Sequence, residues 1–349
     1  EAGKMPWGFL SMEDKVMKER EHFPGVSAVR DSKKIQRDLG WLDPNKKVKQ
    51  KEANFYKAIG SDQYIRTYFG PYITQTGRNA PKARTFPLAM SSWVRTIMRP
   101  KEGMYLTSLD WKSQEIAIAA MLSGDEKLKE AYLSGDPYSH FACMTGAIPM
   151  DELGIAKKKY PEIRQAYKAT VLGVNYGMAA NALSVKLTAD TKKPWSKEQA
   201  QDLLQQHREA YPVYYQFKDS QWLRYKKGLP LNLGGHWYLG PDNPSKLSVL
   251  NAPIQGHGSA ILRQAVRDAV REGIEVIAPL HDAIYFVHKG LEDVDKMTSI
   301  MTKAVYKVIP GADFEIGVDR KTISSEELYI EEKAEAMVDK FMGIIKGDL

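Results

Sequence analysis

At 349 residues, with 43% hydrophobic and 27% charged side chains, the chain can bury a large core and hold two or three subdomains. Its 50 Lys+Arg against 43 Asp+Glu leave a net charge of +7, which suits a polyanionic partner such as nucleic acid without demanding one. The single Cys143 excludes an internal disulfide framework and any cysteine-based zinc cluster, and no apolar run approaches the ~18 residues of a membrane span. The chain opens on Glu1-Ala2-Gly3-Lys4-Met5-Pro6-Trp7, which has no signal pattern and no initiating Met. A soluble, intracellular protein is expected, with further chain ahead of Glu1.

Residues 1–75 are polar and Lys-rich. Ser32–Gly40 predicts a short helix closed by Gly40. Asp43–Lys51 is a turn followed by a basic run, suited either to duplex phosphates or to a solvated loop. Met104–Leu109 predicts a strand ending at Asp110, and Ile116–Leu122 a buried helix stopped near Ser123-Gly124-Asp125. A carboxylate at a strand end is well placed to hold a metal; the alternative is an Asp that caps the next helix.

Pro161 opens a helix in which Arg164, Lys168 and Leu172 recur every four residues along one face. That face offers two cations, then an apolar patch, then Tyr176 beside Gly177. A triphosphate needs cations and a nucleobase needs a flat neighbour; a plain surface helix is the competing reading. The triplet Lys157-Lys158-Lys159 ahead of it reads as a solvated turn, with a basic approach to that helix as the alternative.

Ser196-Lys197-Glu198-Gln199 has the capping-box pattern before a stripe of Ala200, Leu203 and Leu204. Tyr211, Tyr214, Tyr215, Phe217 and Trp222 read as core, and Leu233–Pro241 as a hairpin. Asn251-Ala252-Pro253-Ile254-Gln255-Gly256 predicts a helix start on which Asn251 and Gln255 face one groove. A capped helix with two surface amides is the competing reading. Glu275–Leu280 and Ala283–Val287 predict two strands with His281-Asp282 at the turn, pushing Asp282 outward toward Asp110. The tail from Ser324 to Leu349 has the periodicity of a surface helix.

Three blocks in this order, Leu109-Asp110-Trp111-Lys112-Ser113-Gln114-Glu115, Arg164–Gly177 and His281-Asp282-Ala283, resemble motifs A, B and C of the family A DNA polymerases. Thr76-Gly77-Arg78 and Asn251–Gly256 resemble two further segments, so the likeness covers roughly residues 70–320. It implies an α+β right-hand fold with an antiparallel-sheet palm, helical fingers and a reduced helical thumb. The corresponding domains are a thumb-like region at 1–75, palm at 76–128, fingers at 129–240, and palm with a C-terminal helix at 241–349.

By the same resemblance Asp110 and Asp282, with the Trp111 carbonyl, hold two Mg²⁺ ions, for which Mn²⁺ can substitute. Lys168 acts as the acid, Arg164, Lys168, Leu172, Tyr176, Glu115 and Tyr138 meet the dNTP, and Arg78, Gly177, Asn251, Gln255 and His281 meet primer-template DNA. Glu115 crowds the sugar 2′ position. The sequence departs from the family at Leu172, where Phe or Tyr is usual; at Tyr138, where His is usual; at Ala283, where Glu is usual; and at Ser113-Gln114, which stand one place closer to the Glu. The implied activity is template-directed DNA synthesis; a single-subunit RNA polymerase and a catalytically inactive DNA-binding protein are the alternatives. No separate acidic exonuclease block is seen, so proofreading is not expected from this chain, though an exonuclease or other domain could lie upstream.

Overall fold

The computed structural model describes residues 23–42, 59–81, 91–238, 245–331 and 334–346, with isolated positions at 13, 16, 17, 20, 86 and 88. The basic run within Asp43–Lys51 and the far end of the expected hairpin, Leu239–Pro241, lie outside the described residues. In chain order the elements are α1 (Val26–Leu42), β1 (Phe69–Gly70), β2 (Ala80–Pro81), β3 (Tyr105–Trp111), α2 (Gln114–Ser123), α3 (Glu126–Leu133), α4 (Pro137–Met144) and α5 (Ala156–Lys159). They continue as α6 (Pro161–Asn175), α7 (Ala180–Thr191), α8 (Lys197–Ala210), α9 (Pro212–Lys226), β4 (Leu231–Asn232), β5 (Trp237–Tyr238) and α10 (Lys246–Arg271). The remainder is β6 (Glu275–Leu280), β7 (Ala283–His288), α11 (Leu291–Val308), β8 (Val318–Ser324) and α12 (Glu335–Lys346).

The chain divides into two compact units. One comprises residues 1–33, 113–258 and 311–313; the other comprises 34–112, 259–310 and 314–349. The second unit is built on an antiparallel sheet of order β6-β7-β3-β8. β3 lies between two neighbours and is buried on both faces from Leu106 to Leu109, which is why its apolar run does not alternate cleanly. β6 is an edge strand, so Pro279 is tolerated there and a register shift between Val276 and Ala278 is accommodated.

A polar ladder threads the sheet's middle. His288 Nδ1 lies 2.8 Å from the Gly290 carbonyl, which can only accept, so Nε2 is the acceptor facing the Thr107 hydroxyl at 2.7 Å. Thr107 Oγ1 then accepts from Thr322 at 2.7 Å, joining β7, β3 and β8. α11 buries Val294, Met297, Ile300, Met301, Ala304 and Val305, the spacing of an amphipathic helix.

The first unit is helical. Asp125 caps α3 by accepting from Leu128 N at 3.1 Å, and its second oxygen accepts from Tyr214 N at 2.9 Å, tying α9 to α3. Phe141, Tyr167, His207 and Tyr211 pack ring edge to ring face at 4.9–5.0 Å between α4, α6 and α8. The core reading of Tyr211 and Tyr214 therefore holds; both are 1% exposed. Burial drives His207 down to about 3, so it is neutral. Ser196 and Gln199 form the expected reciprocal cap on α8.

Three local expectations are corrected. α1 runs through Gly40 to Leu42 instead of stopping at the glycine, which costs a helix about 1 kcal/mol but does not by itself end one. β3 continues through Asp110 to Trp111, so Asp110 is paired inside the strand and not at its end. α10 starts at Lys246, where Ser245 Oγ accepts from Ser248 N at 3.1 Å, so Asn251 and Gln255 lie inside the helix and not at its start. Among the described residues no helix is long and apolar enough to cross a membrane.

Candidate active site

In the second unit, β3 delivers Asp110 and the β6–β7 turn delivers Asp282. Asp110 stands opposite Ala283 in the β3–β7 ladder, and Trp111 N donates to the Asp282 carbonyl at 3.1 Å. The two-residue turn requires positive φ at His281, +55°, which turns the chain back tightly enough to leave Asp282 at the strand mouth. On the other side Asp110 stands opposite Asp319 of β8. The Asp110 carboxyl is pushed up to about 7, first by partial burial, then by the like charges of Asp282 and Asp319. Burial also raises Asp282, while the charges of His281 and Arg78 pull it back. Asp110 does not cap α2: the N-cap there is Ser113, which makes no side-chain cap bond.

Arg78 reaches this neighbourhood because α10 grips the Thr76-Gly77 backbone. Ser259 Oγ donates to the Thr76 carbonyl at 2.8 Å, and Arg263 donates to the Gly77 carbonyl while its guanidinium lies 4.2 Å from the Tyr72 ring centroid. Asp319 is drawn toward Lys112 at 3.1 Å, a solvent-exposed pair. Two carboxylates that repel one another and are partly desolvated form a donor set that a divalent cation would relieve, and Mg²⁺ needs few protein carboxylates. Among the described residues no group of three or more His, Cys, Asp and Glu side chains could hold a metal, so such an ion would draw its remaining ligands from water and substrate.

In the first unit α6 carries the cations, and both are braced. Arg164 Nε donates to Asp136 Oδ2 at 2.7 Å, with each side chain only 20% exposed. Asp136 is itself fixed as the N-cap of α4 by Ser139, whose hydroxyl donates at 2.7 Å. Arg164 therefore holds the Asp136 carboxyl below the usual carboxylate range against the opposing effect of burial. The Tyr138 ring lies 5.4 Å from the Arg164 guanidinium and 5.6 Å from Lys168 Nζ, a buried aromatic platform under both cations. Burial, helped by Arg164, lowers the Lys168 ammonium. Leu172, one turn on, is half-buried.

After α6 the chain turns through Tyr176 and Gly177. Gly177 has φ +65°, which favours glycine, and a Cβ there would also displace the end of the Leu247 side chain. Tyr176 is exposed, and its hydroxyl donates to Glu115 Oε1 at 3.3 Å, joining two residues 61 positions apart. Asn251 is 7% exposed with its buried Oδ1 lacking a partner, and Gln255 is half-buried. His140 is a buried residue of α4, held below its ordinary value by burial.

Asp136, Asp319 and Arg263 escaped the sequence reading. Asp136 was legible as a cap before Pro137, but nothing local announces a partner 28 residues away. Asp319 becomes a neighbour of Asp110 only through strand register.

The DNA polymerase family A profile matches residues 30–321. The thermostable DNA polymerase I of Thermus aquaticus is 23% identical over 290 residues, covering 75% of this chain and 33% of that protein. DNA polymerase I of Mycobacterium tuberculosis is 28% identical over 253 residues, covering 66% of this chain and 27% of that one. The chain thus spans about a third of the length of the curated relatives it matches. Among solved structures, the POL domain of Pol1 from M. smegmatis, in complex with DNA primer-template and dNTP, matches with TM-score 0.69 at 20% identity, over 91% of this chain and 56% of that one. A sheet that sets Asp110 beside the Asp282 turn, a helix carrying two braced cations, and a profile match across most of the chain lead to one conclusion: this chain belongs to DNA polymerase family A.

Proposed function

We propose that the chain carries out template-directed addition of dNMP to a primer 3′-hydroxyl, releasing pyrophosphate, with two Mg²⁺ ions as cofactor. The observation that carries this reading is the carboxylate pair Asp110 and Asp282, set side by side by β3 and the β6–β7 turn and left without a cationic partner strong enough to neutralise Asp110. Bound divalent metal would supply activation of the attacking oxygen and charge neutralisation at the leaving one. Asp110, Asp282 and the Trp111 carbonyl are its proposed ligands.

Phosphoryl transfer needs positioning and neutralised charge more than covalent help from the protein. Arg164 and Lys168 would take the triphosphate, and the lowered ammonium of Lys168 suits it to give its proton to the departing pyrophosphate. Tyr138 then serves from beneath, holding the two cations in place, which differs from a charged phosphate contact. Tyr176, Leu172 and Gly177 would meet the nascent base pair, and Glu115, held by Tyr176, would crowd a ribose 2′-hydroxyl. Arg78, Asn251, Gln255 and His281 would meet the primer-template duplex. In domain terms, palm is proposed at 76–128 and 241–349, fingers at 129–240 and a reduced thumb at 1–75, whereas the compact units divide the chain at 33/34, 112/113 and 258/259.

Primer extension tests the reading. Wild-type chain with Mg²⁺ or Mn²⁺ should extend a primer with dNTPs and far less with rNTPs. Absence of extension under both metals, or equal use of rNTPs, would overturn it.

A further inference from the structure

Among the buried ionisable side chains that the chemistry above leaves unused, one is a lysine. Lys218 on α9 is 4% exposed, and among the described residues no carboxylate receives its ammonium. Nζ donates instead to the Val174 carbonyl at 2.8 Å, in the last turn of α6. That same carbonyl accepts from Gly177 N at 2.9 Å, the bond that closes the left-handed turn. One turn earlier on α9, the Tyr214 hydroxyl donates to Asn175 Oδ1 at 2.9 Å. Tyr214 and Lys218 are four apart and share a helix face, so they grip two successive residues of α6. The start of α9 is itself tied down through Tyr214 N and Asp125. The rings of Tyr214 and Tyr215 lie 5.2 and 5.8 Å from the ammonium.

A methionine would fill this space without the cost of desolvating a charge. The charge has work where it stands: it meets the negative end of α6 and doubles the hold on a carbonyl that sets Gly177. We propose that Lys218 is a positioning residue for base selection, fixing the Val174 carbonyl and through it the turn that places Tyr176 and Gly177. This rests on the reading that Tyr176 and Gly177 face the nascent base pair.

The grip should depend on pH. Burial holds the Lys218 ammonium down to about 8, with Lys246 of α10 acting the same way and Asp219 of α9 opposing. The other titratable groups around it are Tyr214 and Tyr215 of α9 and His207 of α8, with Glu115 of α2 acting on Tyr214. Above that value a neutral amine still donates but loses its attraction to the helix end.

The test measures amide hydrogen-exchange protection at Gly177 together with the ratio of correct to mispaired incorporation, in wild type and Lys218→Met. Protection should fall about tenfold in the variant, the scale of one hydrogen bond to a charged group. Selectivity should fall with it, while the rate with the correct nucleotide changes less. In wild type, protection should decline from pH 7 to 9; in Lys218→Met it should stay flat. Should the variant fail to fold, the wild-type pH series decides alone. Unchanged protection at Gly177, or lost protection with selectivity intact, overturns the assignment; a wild type that extends no primer overturns the polymerase reading instead.

Discussion

The two halves of the proposed chemistry treat charge in opposite ways. In the second unit, Asp110 is placed by backbone register beside Asp282 and opposite Asp319, and its carboxyl is pushed up to about 7, first by partial burial and then by the like charges of those two neighbours. In the first unit, Arg164 is matched by Asp136 and both cations rest on Tyr138. The contrast is that the acids stand uncompensated, as the proposed metal ligands would, whereas the cations of the proposed phosphate clamp are already braced. Metal-binding carboxylates gain from frustration that an ion relieves; a phosphate clamp gains from side chains whose freedom is already spent.

Substitutions can break or sharpen this contrast. The largest effect belongs to the acids: Asp282→Asn should cut the primer-extension rate by about 10³-fold while duplex affinity, read by fluorescence anisotropy, is retained. Equal loss of both would place Asp282 in binding and not in chemistry. Next, Lys168→Ala should lower the single-turnover rate by about 10²-fold, the scale of a general acid, with a weaker change in dNTP affinity.

Asp136→Asn probes the bracing. It should cost on the order of 1–2 kcal/mol of stability by urea titration, since both partners are largely buried, and raise KM for dNTP more than it lowers kcat. An unaltered KM would mean that Arg164 needs no help from its carboxylate. Leu172→Tyr should change the ratio of deoxy- to dideoxynucleotide incorporation, because an aliphatic side chain cannot stack or donate as tyrosine does; equal ratios would remove that role.

The smallest effect is on stability in chelator. Folding raises the Asp110 pKa from 3.8 to about 7, so the folded state binds its proton more tightly than the unfolded one. Stability from this group is therefore greatest below about pH 4 and declines as pH climbs toward 7. Asp110→Asn should raise Tm at pH 8 by on the order of 1–2 °C after solvent screening, and by less at pH 4. A lower Tm at pH 8 would mean that Asp110 is not frustrated.

Legibility followed the range of the interaction. The β6–β7 hairpin with Asp282 at its turn, the cap at Ser196 and the helix from Pro161 were readable because alternation, capping pairs and a first-turn proline are written within a few residues. The α10 start was misplaced because Asn251-Ala252-Pro253 looks like an opening, while the cap that works is Ser245, outside the hexapeptide. Tyr138 read as a dNTP contact where His is usual; that its ring underlies two cations from another helix required α4 and α6 to be packed first. Nothing in the sequence around Lys218 marks it, and only its burial against the end of α6 sets it apart.

The hydroxyl-imidazole ladder of Thr107, His288 and Thr322 works as a detent. A strand sliding by one residue would turn Asp110 inward and Trp111 outward, and it would also strand three polar groups in a dry interior. Since Thr107 lies only three residues, roughly 10 Å, from Asp110 along β3, an interlock at the centre of the sheet indexes the acidic residue at its rim. The spacing of the two carboxyls is thereby graduated in whole steps, and small thermal creep between the strands cannot blur it.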